Sequence, residues 1–242
     1  MNEENKDIQA NDEVKQKAIP ITGDMLESTT NADDRLDLEK NISYLPKITV
    51  FIIAINVLVF VWQLLSDVLK TRESIIAAGA LMRERVLAGE YWRLMSAIFL
   101  HGSFDHLLGN SIILYILGLA FEHAFGSSKT AILYFLSGLT ASLLSVTLSP
   151  GPSVGASGAI FGLLGALIVF LHKYKYKIIL RNTRIKTVLQ IWAGYQILSG
   201  FLTPYIDNFA HIGGFIGGMA ITLFMAPIIL GKTAKEPITL IR

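Results

Sequence analysis

Long apolar stretches alternate with short polar breaks along this chain, and six of the stretches approach the thickness of a bilayer. A hydrocarbon core of about 30 Å needs roughly 20 apolar residues in a helix. Residues 48–65, 94–121, 130–148, 155–171, 188–202 and 211–230 meet or come near that length. In hydrocarbon every backbone polar group must find its partner within protein, and a helix does this inside one segment. The expected fold class is therefore an all-α membrane protein built as a six-transmembrane-helix bundle. The fifth stretch is the weakest, because it is short and holds Gln190 and Gln196. The second is long enough for its first turns to lie at the interface.

Composition divides the chain. Its mean hydropathy of +0.51 and apolar fraction of 52 % exceed those of an ordinary soluble domain of 242 residues. Residues 1–46 carry five Lys and Arg against eleven Asp and Glu, a net of −6, whereas residues 47–242 carry sixteen against eight, a net of +8. The expected organisation is an acidic, disordered cytoplasmic tail over 1–46, a membrane domain over 47–230 and a short basic tail over 231–242. The first segment lacks an apolar core and is poor in arginine, so it fits neither a secretory signal nor a mitochondrial presequence. The absence of cysteine removes disulfides, thiolate catalysis and cysteine-ligated metals together.

Basic residues orient the spans. Lys173, Lys175, Lys177, Arg181, Arg184 and Lys186 follow the fourth span, and no Lys or Arg follows the third or fifth. Lys40 and Lys47 precede the first span, while Lys232, Lys235 and Arg242 follow the sixth. The positive-inside rule then puts both termini in the cytoplasm, with the cell membrane as the expected location. The loop from Lys70 to Arg93 holds five basic residues and would lie outside, against the rule. In this topology spans two, four and six all run from outside to inside.

Two reactive residues share one depth in that scheme. Ser157, in Gly155-Ala156-Ser157-Gly158-Ala159, stands at the head of the fourth span, and His211, in Ala210-His211-Ile212-Gly213-Gly214, at the head of the sixth. Polar residues of this kind in a span are a functional hypothesis by default, and serine with histidine is the minimal nucleophile and base for acyl transfer. Gly158/Gly162, Gly213/Gly217 and Gly214/Gly218 are small-xxx-small pairs that let helix backbones approach closely. That spacing serves generic helix packing and Ser–His contact equally well. Pro150-Gly151-Pro152 breaks the chain before the serine, so the fourth helix starts inside the protein with free N–H groups and a positive dipole end. Such groups are suited to stabilising an oxyanion. Phe161, one turn below Ser157, reads first as a packing residue and second as a ring that supports His211.

His106 and Asn110 lie four residues apart on one face of the second span. Either alone would read as an interhelical polar contact; two donors beside a Ser/His pair read as an oxyanion hole. His101 lies off that face, where a structural role or solvent contact is expected, and His123 and His172 sit at span ends with no chemistry expected.

These residues resemble the rhomboid family of intramembrane serine proteases. Gly155-Ala156-Ser157-Gly158 is similar to its GxSG nucleophile motif, and Ala210-His211-Ile212-Gly213-Gly214 to its last helix. His101 with His106-Leu107-Leu108-Gly109-Asn110 resembles the second helix, Glu122 and Gly126 its end, and Tyr91-Trp92-Arg93 the WR pair of the first loop. The resemblance covers roughly residues 47–230 and implies the six-helix form. It implies a Ser157–His211 dyad with no third acid, and oxyanion stabilisation by the Ser157 backbone with His106, Asn110 and Gly155. It also implies support or packing by Phe161, Trp92, Arg93, Gly158 and Gly214, with Trp92 and Arg93 in a structured loop partly in the outer leaflet. Phe161 stands where several bacterial members carry tyrosine; the ring survives, so activity is expected to persist.

The partners so implied are transmembrane protein substrates and the lipid bilayer, with no nucleic acid, cofactor or metal. A catalytically inactive rhomboid-like client binder would be expected to lack the serine or the histidine. A small transporter would be expected to carry charged residues within spans and internal repeats. A zinc protease would need a cluster such as H-E-x-x-H, and an aspartyl protease two carboxylates within spans; neither is present.

Overall fold

Five of the six apolar stretches fall on single helices, and the second is broken into pieces. The computed structural model describes residues 36–37, 45–173, 178–179, 183–202 and 206–229, all within one folded unit, residues 36–242. Most of the acidic segment and all of 231–242 therefore lie outside the described residues. Among the described residues there are six long helices: α1 Lys47–Leu65, α5 Phe104–Phe125, α6 Ser127–Leu148, α7 Ser157–Lys173, α8 Thr183–Leu202 and α9 Asn208–Ile229. Three short helices, α2 Arg72–Ala77, α3 Arg83–Leu87 and α4 Arg93–Ser96, build the connection between α1 and α5. Among the described residues the only strands are two-residue segments, β1 Leu36–Asp37 and β2 Ile178–Ile179, paired in parallel.

Helices α1, α5, α6 and residues Asn208–Met225 of α9 are long and apolar enough to cross a membrane, and α7 is an apolar helix of 17 residues. Helix α8, the stretch with Gln190 and Gln196, is long but not among them. The second stretch differs from expectation. Residues 94–121 do not form one span: α4 passes through a 3-10 turn at Ala97–Phe99, Leu100 is extended, and a new helix starts at Phe104. Ser103 caps that start, its Oγ accepting from the His106 N–H at 3.2 Å. Gly102 and Ser103 interrupt the apolar pattern here, and an N-capping hydroxyl is a stronger boundary than continued hydrophobicity.

Helices α6, α7 and α9 form the tightest trio. At Gly214 an added Cβ would strike the Gly158 carbonyl, and at Gly218 the Gly162 carbonyl, so α7 and α9 meet backbone to backbone. No larger residue fits that approach, which is how small-xxx-small pairs substitute for a hydrophobic drive in lipid. Between α5 and α6 a single residue, Gly126 at φ +85°, reverses the chain.

Buried polar groups tie the other elements down. The Glu122 carboxylate near the end of α5 accepts from the Ile48 and Thr49 N–H groups at 2.9 and 3.0 Å and from Thr49 Oγ1 at 3.0 Å. It also accepts from Ser127 Oγ, so it fastens the start of α1 to the turn between α5 and α6. A carboxylate at a helix N-terminus satisfies orphan N–H groups and opposes the dipole. Gln63 of α1 grips the His101 backbone from both sides, donating to its carbonyl at 3.1 Å and accepting from its N–H at 3.0 Å.

Candidate active site

Ser157 opens α7 and His211 stands four residues into α9, each in the first turn or so of its helix. The Gly158–Gly214 contact sets the distance between those helices. Across it, Ser157 Oγ and His211 Nε2 are 2.9 Å apart, and both residues are buried. The Phe161 ring, one turn along α7, stacks on the His211 ring with centroids 4.4 Å apart. Trp192 of α8 packs on Phe161 in turn, at 4.9 Å. Phe161 thus lies packed between the His211 and Trp192 rings.

The chain before Ser157 is pinned to the α1–α5 connection. Leu81 and Ser153 exchange backbone hydrogen bonds of 2.9 Å in both directions, and Arg83 donates to the Thr147 carbonyl at 2.7 Å. The Gly155 N–H donates to the Ala97 carbonyl at 2.9 Å. That bond occupies the Gly155 donor, so its expected part in oxyanion stabilisation cannot run through its own N–H. Its place at the site is steric. At φ +120°, with no Cβ, it leaves room for the His106 ring, which a Cβ would meet at 2.6 Å, and for Asn110 Nδ2 at 3.5 Å.

Thus α5 brings His106 and Asn110 against the turn that carries Ser157. Asn110 is buried, and neither its amide nitrogen nor its oxygen has a hydrogen-bond partner among the described residues. A buried amide without a protein partner is costly and calls for a reason. His101, expected to reach solvent or play a structural part, is fully buried and meets the His106 ring edge-on at 5.2 Å. Burial excludes the solvent contact. Together with the Gln63 clamp, it makes His101 a wall behind His106.

Trp92 and Arg93 are away from this pair. Arg93 is buried and donates to the Ile76 and Ala80 carbonyls, the latter at 2.9 Å, and to Glu90 at 2.7 Å. Its hydrogen bond and charge hold the Glu90 carboxyl below the usual carboxylate range. The guanidinium lies 4.6 Å from the centre of the exposed Trp92 ring. Arg93 is thus the hub of the first loop. Leu87, Tyr91 and Trp92 present an exposed apolar surface there.

An apolar cavity of about 830 Å³ between α7, α8 and α9 is lined by Phe161, Leu164, Ile197, Phe215 and His211, among others. Two site features escaped sequence reading. Trp192 had no motif to mark it, whereas Asp207, which caps α9, was legible as an acidic residue just before a helix.

The fold and the site together define an intramembrane helix bundle with a buried serine–histidine pair at the heads of two touching helices. Residues 88–228 match the family model of the Rhomboid domain, and the chain belongs to the rhomboid family. It is 38 % identical over 174 residues to rhomboid protease GluP of Bacillus subtilis, a match covering 72 % of this chain and 34 % of that relative. It is 29 % identical over 204 residues to rhomboid protease AarA of Providencia stuartii, covering 73 % and 71 %. It is also 39 % identical over 130 residues to inactive RHOMBOID-like protein 8 of Arabidopsis thaliana, covering 52 % and 36 %. The chain thus spans about a third of the length of two of these three relatives. With its apolar helices, family membership makes it an integral membrane protein.

Proposed function

We propose that this protein is an intramembrane serine endopeptidase that cleaves transmembrane segments of other proteins. The observation that carries the reading is the 2.9 Å contact between Ser157 Oγ and His211 Nε2 in a buried, apolar setting. In the resting pair the Ser157 hydroxyl donates to Nε2, which leaves the ring proton on Nδ1. Ser157 Oγ attacks a substrate carbonyl and its proton passes to Nε2; the imidazolium then protonates the leaving amine. Water, deprotonated by the same nitrogen, releases the acyl group.

The negative charge on the carbonyl oxygen is met by the Ser157 N–H at the start of α7, by Asn110 Nδ2 and by His106. Asn110 supports this most directly, since its buried amide has no partner among the described residues. Gly155 shapes the site by making room for both side chains. The cavity bounded by α7, α8 and α9 reaches His211 and Phe161 and is suited to an apolar substrate segment. The names of GluP and AarA as rhomboid proteases support this reading, and one relative is named inactive, so the rival is a client binder without turnover. The intact Ser–His contact favours the protease.

By the distribution of basic residues the termini are cytoplasmic, the membrane is the cell membrane, and the cut falls near the outer face. A product mapping to the cytoplasmic third of the substrate span would refute that depth. Ser157→Ala in reconstituted vesicles decides the activity itself. It should abolish cleavage of a transmembrane reporter while the protein stays folded, because only a hydroxyl is lost. Clear residual turnover in the purified variant would overturn the assignment.

A further inference from the structure

His211 is held by few groups. Nε2 faces Ser157 and the ring lies on Phe161, while Nδ1 has no hydrogen-bond partner among the described residues. Among the described residues no acceptor holds Nδ1, so beyond the Phe161 stack the ring is placed by the backbone that carries it. That backbone is the first turn of α9, and one side chain organises it. Asp207 Oδ1 accepts from the Phe209 N–H at 3.0 Å and from the Ala210 N–H at 3.1 Å. The Asp207 carbonyl accepts from the His211 N–H at 3.2 Å. The other carboxylate oxygen, Oδ2, accepts from Ser145 Oγ on α6, and Ser145 is buried.

Helix α6 is a fixed reference for this turn. It packs on α9 through Gly213, where a Cβ would meet Leu144 Cβ at 2.7 Å, and through Gly217, where it would meet Thr140. Asp207 thus does two things with one carboxylate: it closes the helix start that carries His211, and it ties that start to α6. An N-cap alone fixes a turn relative to its own helix; the Ser145 bond fixes it relative to the bundle.

We propose that Asp207 is a positioning residue for His211, acting through the helix start and Ser145 without touching substrate. The proposal rests on the protease reading, since its consequence is the alignment of a catalytic base. Alignment matters in the transition state more than in binding, because small displacements of a reacting group cost rate steeply.

The test uses the full chain in vesicles with a transmembrane reporter, alongside hydrogen exchange over residues 208–212. Asp207→Ala should lower kcat by about 10- to 100-fold with KM little changed, and should speed exchange in that turn. Asp207→Asn should restore kcat to within about 3-fold, since its amide oxygen accepts the cap N–H groups and its amide nitrogen donates to Ser145 Oγ. A merely destabilising loss would not show this split or this rescue. Wild-type kcat in Asp207→Ala would overturn the proposal, as would an Asp207→Asn variant no better than the alanine. Should Asp207→Ala not fold, Ser145→Ala removes only the tie to α6 and should lower kcat by about 3- to 10-fold; wild-type kcat there overturns the proposal equally. A wild-type protein that leaves the reporter uncut defeats the protease reading. Even then, exchange that is unchanged in Asp207→Ala and Ser145→Ala refutes the latch.

Discussion

The ring of Phe161 lies nearly parallel to that of His211, with centroids 4.4 Å apart and planes inclined by 16°. The two residues sit on different helices, and the face of one ring limits the rotation of the other. A stacked aromatic pair contributes about 0.5–1.5 kcal/mol beyond its buried area. Here the consequence is geometric: the imidazole plane is set so that Nε2 meets Ser157 Oγ at 2.9 Å.

Phe161→Leu keeps an apolar side chain, somewhat smaller, and removes the flat surface. We expect kcat to fall by about 10-fold, the scale of a slightly misaligned base, while Phe161→Tyr stays close to wild type. Steady-state cleavage of a transmembrane reporter measures both. A leucine variant at full kcat would mean that Phe161 only fills space.

His106 and Asn110 are expected to act on the transition state. Replacing either by alanine should lower kcat by about 10- to 1000-fold with little change in KM, as for loss of an oxyanion donor. Full progress curves over a range of reporter density separate the two constants. If Asn110→Ala instead raises KM at unchanged kcat, that residue contacts the substrate in its ground state.

The helical, membrane-spanning character of the chain was legible because hydropathy acts through length alone. The approach of α7 to α9 was legible for a related reason: glycines four residues apart leave a groove on a helix whichever helix fills it. The break at Leu100–Ser103 was hidden, because His101, Gly102 and Ser103 interrupt the apolar run too briefly to read as the end of a span, and only the Ser103 cap marks the new helix. His101 looked peripheral by its position in the sequence, yet Gln63, 38 residues away, draws its backbone inward. Contacts of that range leave no periodic trace. Asp207 carries no motif that would link it to His211, since its tie to Ser145 on α6 spans 62 residues.

Glu122 makes a prediction about stability. Its carboxylate accepts from four donors, those of Ile48, Thr49 twice, and Ser127. Glu122→Gln replaces one accepting oxygen with a donor facing donors, and one or more of those groups then goes unsatisfied. The expected cost is about 1–3 kcal/mol, seen as a lowered unfolding midpoint in detergent micelles, with kcat per folded molecule unchanged. An unaltered midpoint would show that the cluster relaxes freely.

His101 predicts a pH dependence. Burial, helped by the neighbouring His106 and opposed by the Phe99 carbonyl, lowers its pKa from the ordinary 6.5 to about 3. The folded protein therefore keeps this ring neutral where the unfolded chain protonates it. Between pH 6.5 and about 3 the unfolded state binds more protons, so stability is full above 6.5 and is lost as the pH falls through that window. His101→Gln removes the titration, and its stability should fall less steeply with acid, by a slope difference of about one proton. Unfolding midpoints for both proteins across that range decide the matter; parallel slopes would mean that His101 is already protonated in the folded state, or that water reaches it.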